Sequence, residues 1–315
     1  MAAEILTSTK DMPREEWLEH RRSGIGGSDA AAVLGINRWK SPMSLFLDKT
    51  GQIEDQPAGE RAYWGQVLED VVAREFMKRS GKTVRKRNFM FRDPVYPFMI
   101  ADIDREVVGE NAGLECKTTS EWNASQWEGD SVPDIYFCQC QHYCRVMGWD
   151  GVYIAVLAGF GAFLWKYIPR DEDFISLLIA REKEFWMGHV EKNFPPAWDG
   201  SSASEEVLTR LHPEANGTEI LLPEGETNDL AEEYKKLHAQ VKELETIRDA
   251  YKQRLQSMLG SAERGSTLSW DILWKNTSRT DIDSKRLKAE EPALYERFLR
   301  TSVYRRFDVK KIKED

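Results

Sequence analysis

A short stretch of the sequence carries acidic and basic side chains whose spacing suits hydrolytic chemistry. Asp102 and Asp104 lie two residues apart, and Glu115 and Lys117 repeat that spacing after the turn segment "GENAG". Side chains two apart on a strand point to the same face, so Glu115 and Lys117 share a face while Cys116 points the opposite way. If the turn pairs the two strands, carboxylates and an amine converge at one place.

Such a group of side chains suits metal-assisted hydrolysis of phosphodiesters. Carboxylate oxygens are the ligands that Mg²⁺ and Mn²⁺ prefer, and the bound ion keeps several waters while it accepts phosphate oxygens. The ion stabilises the anionic transition state and acidifies a bound water, which a nearby lysine orients or deprotonates. Glu and Lys two residues apart are also common on surface strands. The pattern alone therefore leaves a nuclease site and a solvated strand both open.

The segments on either side of this stretch predict an α/β domain. Apolar periodicity and terminal proline or glycine predict helices at "DMPREEWLEHRRS", "WGQVLEDVVAREFMKRSG", "PDIYFCQCQHYCRVMG" and "DEDFISLLIAREKEFWMGHV". Turn residues and alternation predict strands at "KTVRKRNFMF", "FMIADIDREVV", "LECKTT", "GVYIAVLAG" and "AFLWKYI". This order of elements favours a sheet flanked by helices.

A change in composition marks the end of this domain. The segments "NFPPAWDGSSASEE" and "LHPEANGTEILLPEGETN" are rich in Pro, Gly, Ser and acidic residues, as loops and linkers are. The sequence predicts a core over residues 1–200, a linker over 201–228 and an accessory region over 229–315.

A heptad pattern occupies the first part of the accessory region. Apolar residues at 4-3 spacing, interrupted at Arg248, are Leu230, Tyr234, Leu237, Val241, Leu244, Tyr251, Leu255 and Met258. A coiled-coil helix facing a partner and an amphipathic helix packed on its own domain both satisfy this pattern. A β-hairpin at "STLSWDILWKNTSRTDID" and a short helix at "KRLKAEEPALYERFLR" are predicted to follow.

Composition bounds the class of protein. The net charge of −9 argues against broad electrostatic binding of nucleic acid, although "KRSGKTVRKR" and "YRRFDVKKIK" are locally basic. No apolar run reaches the length of a membrane span, and "MAAEILTSTKDM" lacks the apolar core of a signal peptide. The sequence therefore predicts a cytoplasmic protein with no membrane partner.

The cysteines raise the question of a metal cluster, since three of them crowd into "CQCQHYC". Cys138 and Cys140 lie two apart on a predicted helix, which points them to different sides, whereas zinc pairs favour a two-residue spacer on a turn. Buried thiols in a reducing compartment are therefore expected in place of a zinc or iron–sulfur site.

Several motifs in the same order give the chain a family resemblance. The chain resembles the YqaJ-like viral recombinases, relatives of the phage lambda exonuclease within the PD-(D/E)xK nuclease superfamily. The motifs lie between about residues 14 and 200 and read "WLEHRRSGIGGSDAAAVLG", "WGQVLEDVVAREF", "ADIDREVV", "LECKT" and "PDIYFCQCQHYCRVMG". Ile103 stands where the family frequently has proline.

The resemblance implies a role for each matched residue. It implies four metal ligands, namely Asp104, Glu115, the main-chain carbonyl of Cys116 and, directly or through water, Glu69. Lys117 would act on the attacking water, and Gln139 would orient a ligand or the scissile phosphate. Asp102 could replace or assist Asp104, whereas the family register favours Asp104. The cofactor implied is Mg²⁺ or Mn²⁺, as two ions.

The turn "RRSGIGGSD" offers a second site, because it follows one predicted helix and opens another. Glycines allow close backbone approach, and a helix N-terminus, Ser28 and arginines donate to phosphate. The resemblance implies a pocket here for a terminal 5′-phosphate, with Arg21, Arg22 and Ser28 as its residues. A structural role, in which Ser28 caps the helix, is compatible with this phosphate-binding role. Which of the two arginines faces the phosphate stays open.

Together the residues and the resemblance predict a PD-(D/E)xK restriction-endonuclease-like α/β core, a mixed sheet flanked by helices. A C-terminal coiled-coil and β-hairpin region would follow it. The predicted function is metal-dependent 5′ to 3′ exonucleolytic resection of linear double-stranded DNA for phage-type recombination, in the host cytoplasm if phage-encoded. A DNA-end-binding scaffold without catalysis and an endonuclease are the alternatives. Expected partners are DNA ends, a single-strand-annealing recombinase and further copies of the chain in a ring.

Overall fold

A computed structural model describes residues 3–54, 59–159 and 161–312 of the chain. The chain forms two compact units, and the division falls between Leu211 and His212. A helix, Ser202–Leu211, belongs to the first unit. The structure thus divides the chain later than the predicted end of the core at residue 200, inside the segment predicted as a linker.

The first unit contains both sheets of the core. Its strands are β1 (Glu4–Ser8), β2 (Ile25–Gly26), β3 (Val84–Arg85), β4 (Phe89–Arg92), β5 (Met99–Asp102), β6 (Arg105–Val107), β7 (Ala112–Thr119), β8 (Gly151–Ala158) and β9 (Ala162–Pro169). Its helices are α1 (Arg14–Arg22), α2 (Gly27–Val33), α3 (Pro42–Lys49), α4 (Glu60–Ser80), α5 (Asp134–Met147), α6 (Glu172–Phe185) and α7 (Ser202–Leu211). A 3₁₀ segment, Glu121–Trp127, precedes α5, and a π-helical turn, Trp186–Val190, follows α6.

The sheets meet where the predicted strand "FMIADIDREVV" is interrupted. One sheet has the order β1-β4-β5-β2 and the other has the order β3-β6-β7-β8-β9. Residues 103–104 carry the chain from β5 in the first sheet to β6 in the second. The single strand predicted here is therefore two strands, and Asp104 lies at the junction between them.

The hairpin predicted around "GENAG" is present. β6 and β7 are antiparallel, with Arg105 opposite Leu114 and Glu106 opposite Gly113. β7 is also parallel to β8, with Lys117 opposite Val156. Because β8 is almost wholly buried and apolar, it fixes β7 in the middle of the sheet. The predicted mixed α/β architecture is confirmed, with two sheets in place of one.

Helices cover both sheets. α5 packs against β5, β8, α2 and α6. The C-terminal half of α4 packs Phe76 against the five-stranded sheet, whereas its N-terminal half is mostly exposed. α4 ends at Gly81, whose φ of +72° suits glycine as a helix C-cap.

The second unit contains the predicted helix and hairpin. Its elements are α8 (Glu224–Leu259), β10 (Arg264–Ser266), β11 (Asp271–Leu273), α9 (Ser284–Glu290) and α10 (Pro292–Phe298). β10 and β11 pair antiparallel. Within the described ranges, no helix is both long enough and apolar enough to cross a membrane.

Candidate active site

β7 brings Glu115 and Lys117 into direct contact. Lys117 Nζ lies 2.5 Å from Glu115 Oε1, as expected for side chains that share one face of a strand. Gln139, on the facing helix α5, donates from Nε2 to the same carboxylate oxygen at 2.7 Å. Glu115 is only 3% exposed. The three side chains thus form one mutually oriented group, in which Glu115 and Gln139 are buried and Lys117 is half-buried.

Asp104 joins this group from the junction between the sheets. Its Oδ2 accepts a hydrogen bond from the backbone N–H of Cys116 at 2.7 Å. Residue 104 lies between two strands, so its side chain does not follow the alternation of either sheet. The hydrogen bond to Cys116 holds its carboxylate beside β7. Asp104, Glu115 and Lys117 therefore meet at one place in the structure.

The surroundings of Asp104 and Glu115 raise the pKa of both carboxyl groups. Burial, followed by the negative charges of Glu115 and Glu69, raises the pKa of Asp104 well above its ordinary value. Burial also raises the pKa of Glu115, although Lys117 opposes this effect. Buried like charges so close together need a cation beside them. The site is thus a negative centre that Lys117 compensates only in part.

Lys117 is held as an ammonium ion in this state. Burial alone would lower the pKa of Lys117, but the charges of Glu115 and Asp104 outweigh it and raise the pKa above its ordinary value. The Tyr136 ring lies 5.1 Å from Nζ and offers a further cation–π contact. Lys117 is accordingly a hydrogen-bond donor and positive charge until another cation changes the balance.

Glu69 lies on α4 near this group, but it pairs with Arg105 and not with Lys117. Its Oε1 accepts from Arg105 Nη1 at 2.5 Å, and Lys86 Nζ lies 3.6 Å from the same oxygen. Arg105 also donates to the carbonyl of Asp104 at 2.6 Å and pairs with Asp70. Arg105 thus ties α4 to the junction that carries Asp104. No periodic pattern in the sequence indicates this role.

Removing the Arg105 guanidinium should weaken both the site and the fold. Arg105→Met leaves Glu69 with only the more distant Lys86 as a cationic partner. We therefore expect about 10–100-fold slower cleavage and a loss of about 1–3 kcal/mol in the free energy of unfolding. Lysine cannot reproduce the fork of bonds, so Arg105→Lys should be intermediate. Single-turnover cleavage and urea unfolding measure the two effects. Arg74→Met, which removes an exposed arginine of α4, is the control. Equal effects of Arg105→Met and Arg74→Met would contradict the role of Arg105 as a clamp between α4 and the Asp104 junction.

Asp102 lies beside the group but has other partners. Its Oδ2 accepts from Trp17 Nε1 at 2.8 Å, and burial raises its pKa. Tyr143 donates to the carbonyl of Asp102 at 3.0 Å, and the Tyr143 hydroxyl also accepts from Gln139. Trp17 and Tyr143 thus support β5 from α1 and α5. Tyr143 could have been found from the sequence, because it lies four residues after Gln139 on one helix face.

The donor set of the site fits a hard divalent cation. Asp104 and Glu115 supply buried carboxylate oxygens whose repulsion a bound cation would relieve. Within the part of the chain that the structure describes, no three Asp, Glu, His or Cys side chains form a complete metal-binding group. Since Mg²⁺ keeps several waters and uses only one or two carboxylates, this sparse set suits it.

The predicted phosphate turn brings Arg21 and Ser28 together. Arg21 Nη2 donates to Ser28 Oγ and to the buried Asp29 carboxylate, each at 3.1 Å. The guanidinium lies so close to Gly26 that a Cβ there would meet Nη1 at 1.5 Å. Gly27 likewise packs against the Tyr143 ring, where a Cβ would lie 2.6 Å away. The glycines therefore allow the turn to pass between the arginine and α5.

Two lysines that the sequence did not single out complete this cluster. Lys40 and Lys49 contact Asp29 at 3.1 and 2.8 Å, and Lys40 also pairs with Asp48 at 2.7 Å. Burial lowers the pKa of Lys49 to about 8. Arg22 donates to the Asp48 carbonyl at 3.1 Å. A cavity of about 180 Å³ lies among these side chains. Four basic side chains and one acid, Asp48, line it, and this excess of cations makes it a candidate anion site.

Other charged and sulfur groups singled out in the sequence lie in ordinary surroundings. In the segment 78–87, Lys82 pairs with Glu110, and Arg85 and Arg87 pair with Glu106. Much of this basic segment is therefore neutralised within the protein. Three thiols of α5 are buried, namely those of Cys138, Cys140 and Cys144. Burial raises the pKa of Cys138 to about 12.

Comparison with known structures defines the class of the core. LHK-Exo, an alkaline exonuclease from Laribacter hongkongensis, matches in its complex with dAMP with a TM-score of 0.50 at 16% identity, over 62% of this chain and 97% of the exonuclease. A second LHK-Exo structure gives a TM-score of 0.49 at 15% identity, over 63% of this chain and all of that one. At such identity the match shows the fold alone. The core of this chain shares its fold with LHK-Exo.

Sequence comparison then gives the family. A model of the YqaJ-like viral recombinase domain matches residues 16–150. The protein YqaJ of Bacillus subtilis (strain 168) is 40% identical over 313 residues, which cover 98% of each chain. The chain belongs to the YqaJ-like viral recombinase family, and the resemblance inferred from its motifs is confirmed.

Proposed function

We propose that the protein is a metal-dependent exonuclease that resects linear double-stranded DNA from 5′ to 3′ for phage-type homologous recombination. The proposal rests above all on the convergence of Asp104 and Lys117 around the buried carboxylate of Glu115. Membership of the recombinase family and the alkaline exonuclease fold support the same class of activity. The exposed single strand would pass to an annealing recombinase.

The chain's own residues divide the chemistry between them. Asp104, Glu115 and the main-chain carbonyl of Cys116 would hold Mg²⁺ or Mn²⁺, with Glu69 as a further ligand, directly or through water. When bound, the metal supplies charge for the transition state and acidifies water. Lys117 directs its ammonium group at the attacking water or the phosphate, and Gln139 keeps the Glu115 carboxylate oriented. A count of two ions remains a prediction.

A closed DNA circle separates this proposal from its alternatives. With Mg²⁺, the protein should degrade linear duplex and leave a covalently closed circle of the same sequence intact, and chelator should stop the degradation. Nicking of the circle would indicate an endonuclease. Binding to ends without degradation of either substrate would indicate a scaffold, for which the trio of Asp104, Glu115 and Lys117 has no evident use.

We propose further that the Arg21 and Ser28 cluster receives the 5′-terminal phosphate. Arginine and lysine donors line one small cavity there, and Arg21 also contacts the Ser28 hydroxyl. A doubly charged phosphate gains charge-assisted bonds from such donors. Arg22 and Lys40 line the same cavity. The Arg21 guanidinium already pairs with Asp29. A bound phosphate would therefore share its cationic partners with the Asp29 carboxylate.

The protein should therefore start faster on a 5′-phosphorylated end than on a 5′-hydroxyl end. Losing a charge-assisted contact costs about 1.5–3 kcal/mol, or roughly 10–100-fold in initiation. Ser28→Ala combined with Arg21→Ala and Arg22→Ala should erase the preference and still allow degradation, because the metal site is untouched. Initial rates on matched duplexes measure the ratio. Lys40→Gln, which keeps the Arg21–Asp29 pair, should reduce the ratio without disturbing the turn, and a wild type with no preference would contradict the pocket.

A further inference from the structure

The apolar stripe of α8 is exposed along its whole length. No residue of α8 is buried, and the stripe side chains range from 42% exposed at Leu255 to 78% exposed at Met258. Among the described residues, Phe307 covers part of the stripe, where its ring meets Tyr234 edge-on with the ring centroids 5.5 Å apart. A long helix gains most of its stability when such a stripe is buried, and the described residues of the second unit leave the stripe of α8 largely uncovered.

We propose that the stripe is covered by α8 of a second copy of this chain, with the two helices antiparallel. In the register with the longest overlap, Val241 of one copy faces Leu244 of the other, and Tyr234 faces Tyr251. Leu255 faces Leu230 in the same register. Each layer occurs twice by symmetry, so the apolar stripe of each helix is buried over about four heptads.

Arg248 decides between the two possible directions. The 4-3 spacing places Arg248 at the same heptad position as Val241 and Leu255. In a parallel pair this position faces itself, so two arginines would meet inside the apolar seam, which is unfavourable. In the antiparallel register Arg248 lies beside Leu237 of the second copy, where its aliphatic stem packs and its guanidinium reaches water.

The charges that flank the stripe favour the same arrangement. Glu233 and Arg254 both lie on the edge of the stripe that precedes the Arg248 position in each heptad. The antiparallel register places Glu233 of one copy beside Arg254 of the other, and His238 beside Glu245, each pair twice. A parallel pair would instead place Glu233 near His238 and Gln240 near Glu245, with no lysine or arginine opposite either glutamate.

A reciprocal charge exchange tests this register in the full-length protein. Glu233→Arg and Arg254→Glu should each turn two attractive pairs into repulsive ones and raise the dissociation constant of the α8 pairing about tenfold. The double variant should restore it, since each new arginine meets a new glutamate. Sedimentation equilibrium measures the constants. In a parallel pair these positions lie three heptads apart, so a double variant as weak as the single variants would overturn the proposal.

A second pair of variants tests the stripe itself. Leu237→Asp with Leu244→Asp should halve the mass of the assembly and leave cleavage of naked DNA largely intact. Ala239→Asp with Thr246→Asp adds the same charge on the opposite face of α8 and should leave the mass unchanged. A wild-type mass that the first variant does not lower would overturn the proposal. Loss of solubility and activity together would also overturn it, because the helix would then pack on its own chain.

Discussion

Asp104→Asn should abolish cleavage and leave the fold at least as stable as before. A metal-held transition state is stabilised by several kcal/mol, so losing one ligand charge should slow cleavage roughly a thousandfold or more. Asp102→Asn is the matched comparison, because Asp102 is occupied by Trp17. It should retain activity within about tenfold, since the amide oxygen can still accept that bond. Single-turnover rates on linear duplex measure both, and equal losses would contradict the assignment of Asp104.

The same variant should show a stability difference that depends on pH. Because the pKa of Asp104 is raised in the folded protein, the protonated carboxyl favours folding and its ionisation opposes it. This contribution is full below the ordinary pKa, near about pH 4, and is lost as pH rises through the raised value. The melting temperature of metal-free wild type should therefore match that of Asp104→Asn at low pH and fall below it toward neutrality.

Metal addition tests independently whether Asp104 is a metal ligand. A ligand that binds only the folded state raises its melting temperature, so Mn²⁺ should stabilise the wild type more than Asp104→Asn. Equal stabilisation of both proteins would place the metal elsewhere. This measurement requires no DNA and no turnover.

Lys117→Ala should bind DNA and metal yet cut very slowly. A positioned general acid or base contributes about 10²–10⁴-fold to a rate, and Lys117 is the cation in contact with Glu115. Loss of that cation leaves Asp104 and Glu115 with less compensation, so metal affinity should be kept or increased. Rapid-quench cleavage and DNA binding in Ca²⁺ separate the chemical step from association. Lys183→Ala, at an exposed position of α6, is the control, and normal turnover in Lys117→Ala would refute its role.

Local patterns predicted that Glu115 and Lys117 share one face of a strand, and the two side chains are in contact there. The alternation of Glu115, Cys116 and Lys117 and the turn before them were enough to place one acid and one base together on β7. Motif order identified the family and supplied Gln139 and Glu69. These features are visible in sequence because they depend on neighbours within one strand or helix.

Long-range features could not be predicted in the same way. At the interruption of the strand, Asp104 accepts a hydrogen bond from the backbone N–H of Cys116, which lies twelve residues later on β7. The clamp made by Arg105 and the Asp29 cluster with Lys40 and Lys49 join elements that are distant in the chain. The strand β1 was missed because it is short and mostly exposed, and only its pairing with β4 defines it.

Strand polarity tests the central claim most directly. A linear duplex carries a label at the 5′ end of one strand in one sample and at the 3′ end of the same strand in another, and each is digested with Mg²⁺. Resection from 5′ to 3′ predicts that the 5′ label appears at once in short products, while the 3′ label stays in a long strand that shortens with time. Earlier release of the 3′ label, or release of neither label, would contradict the account.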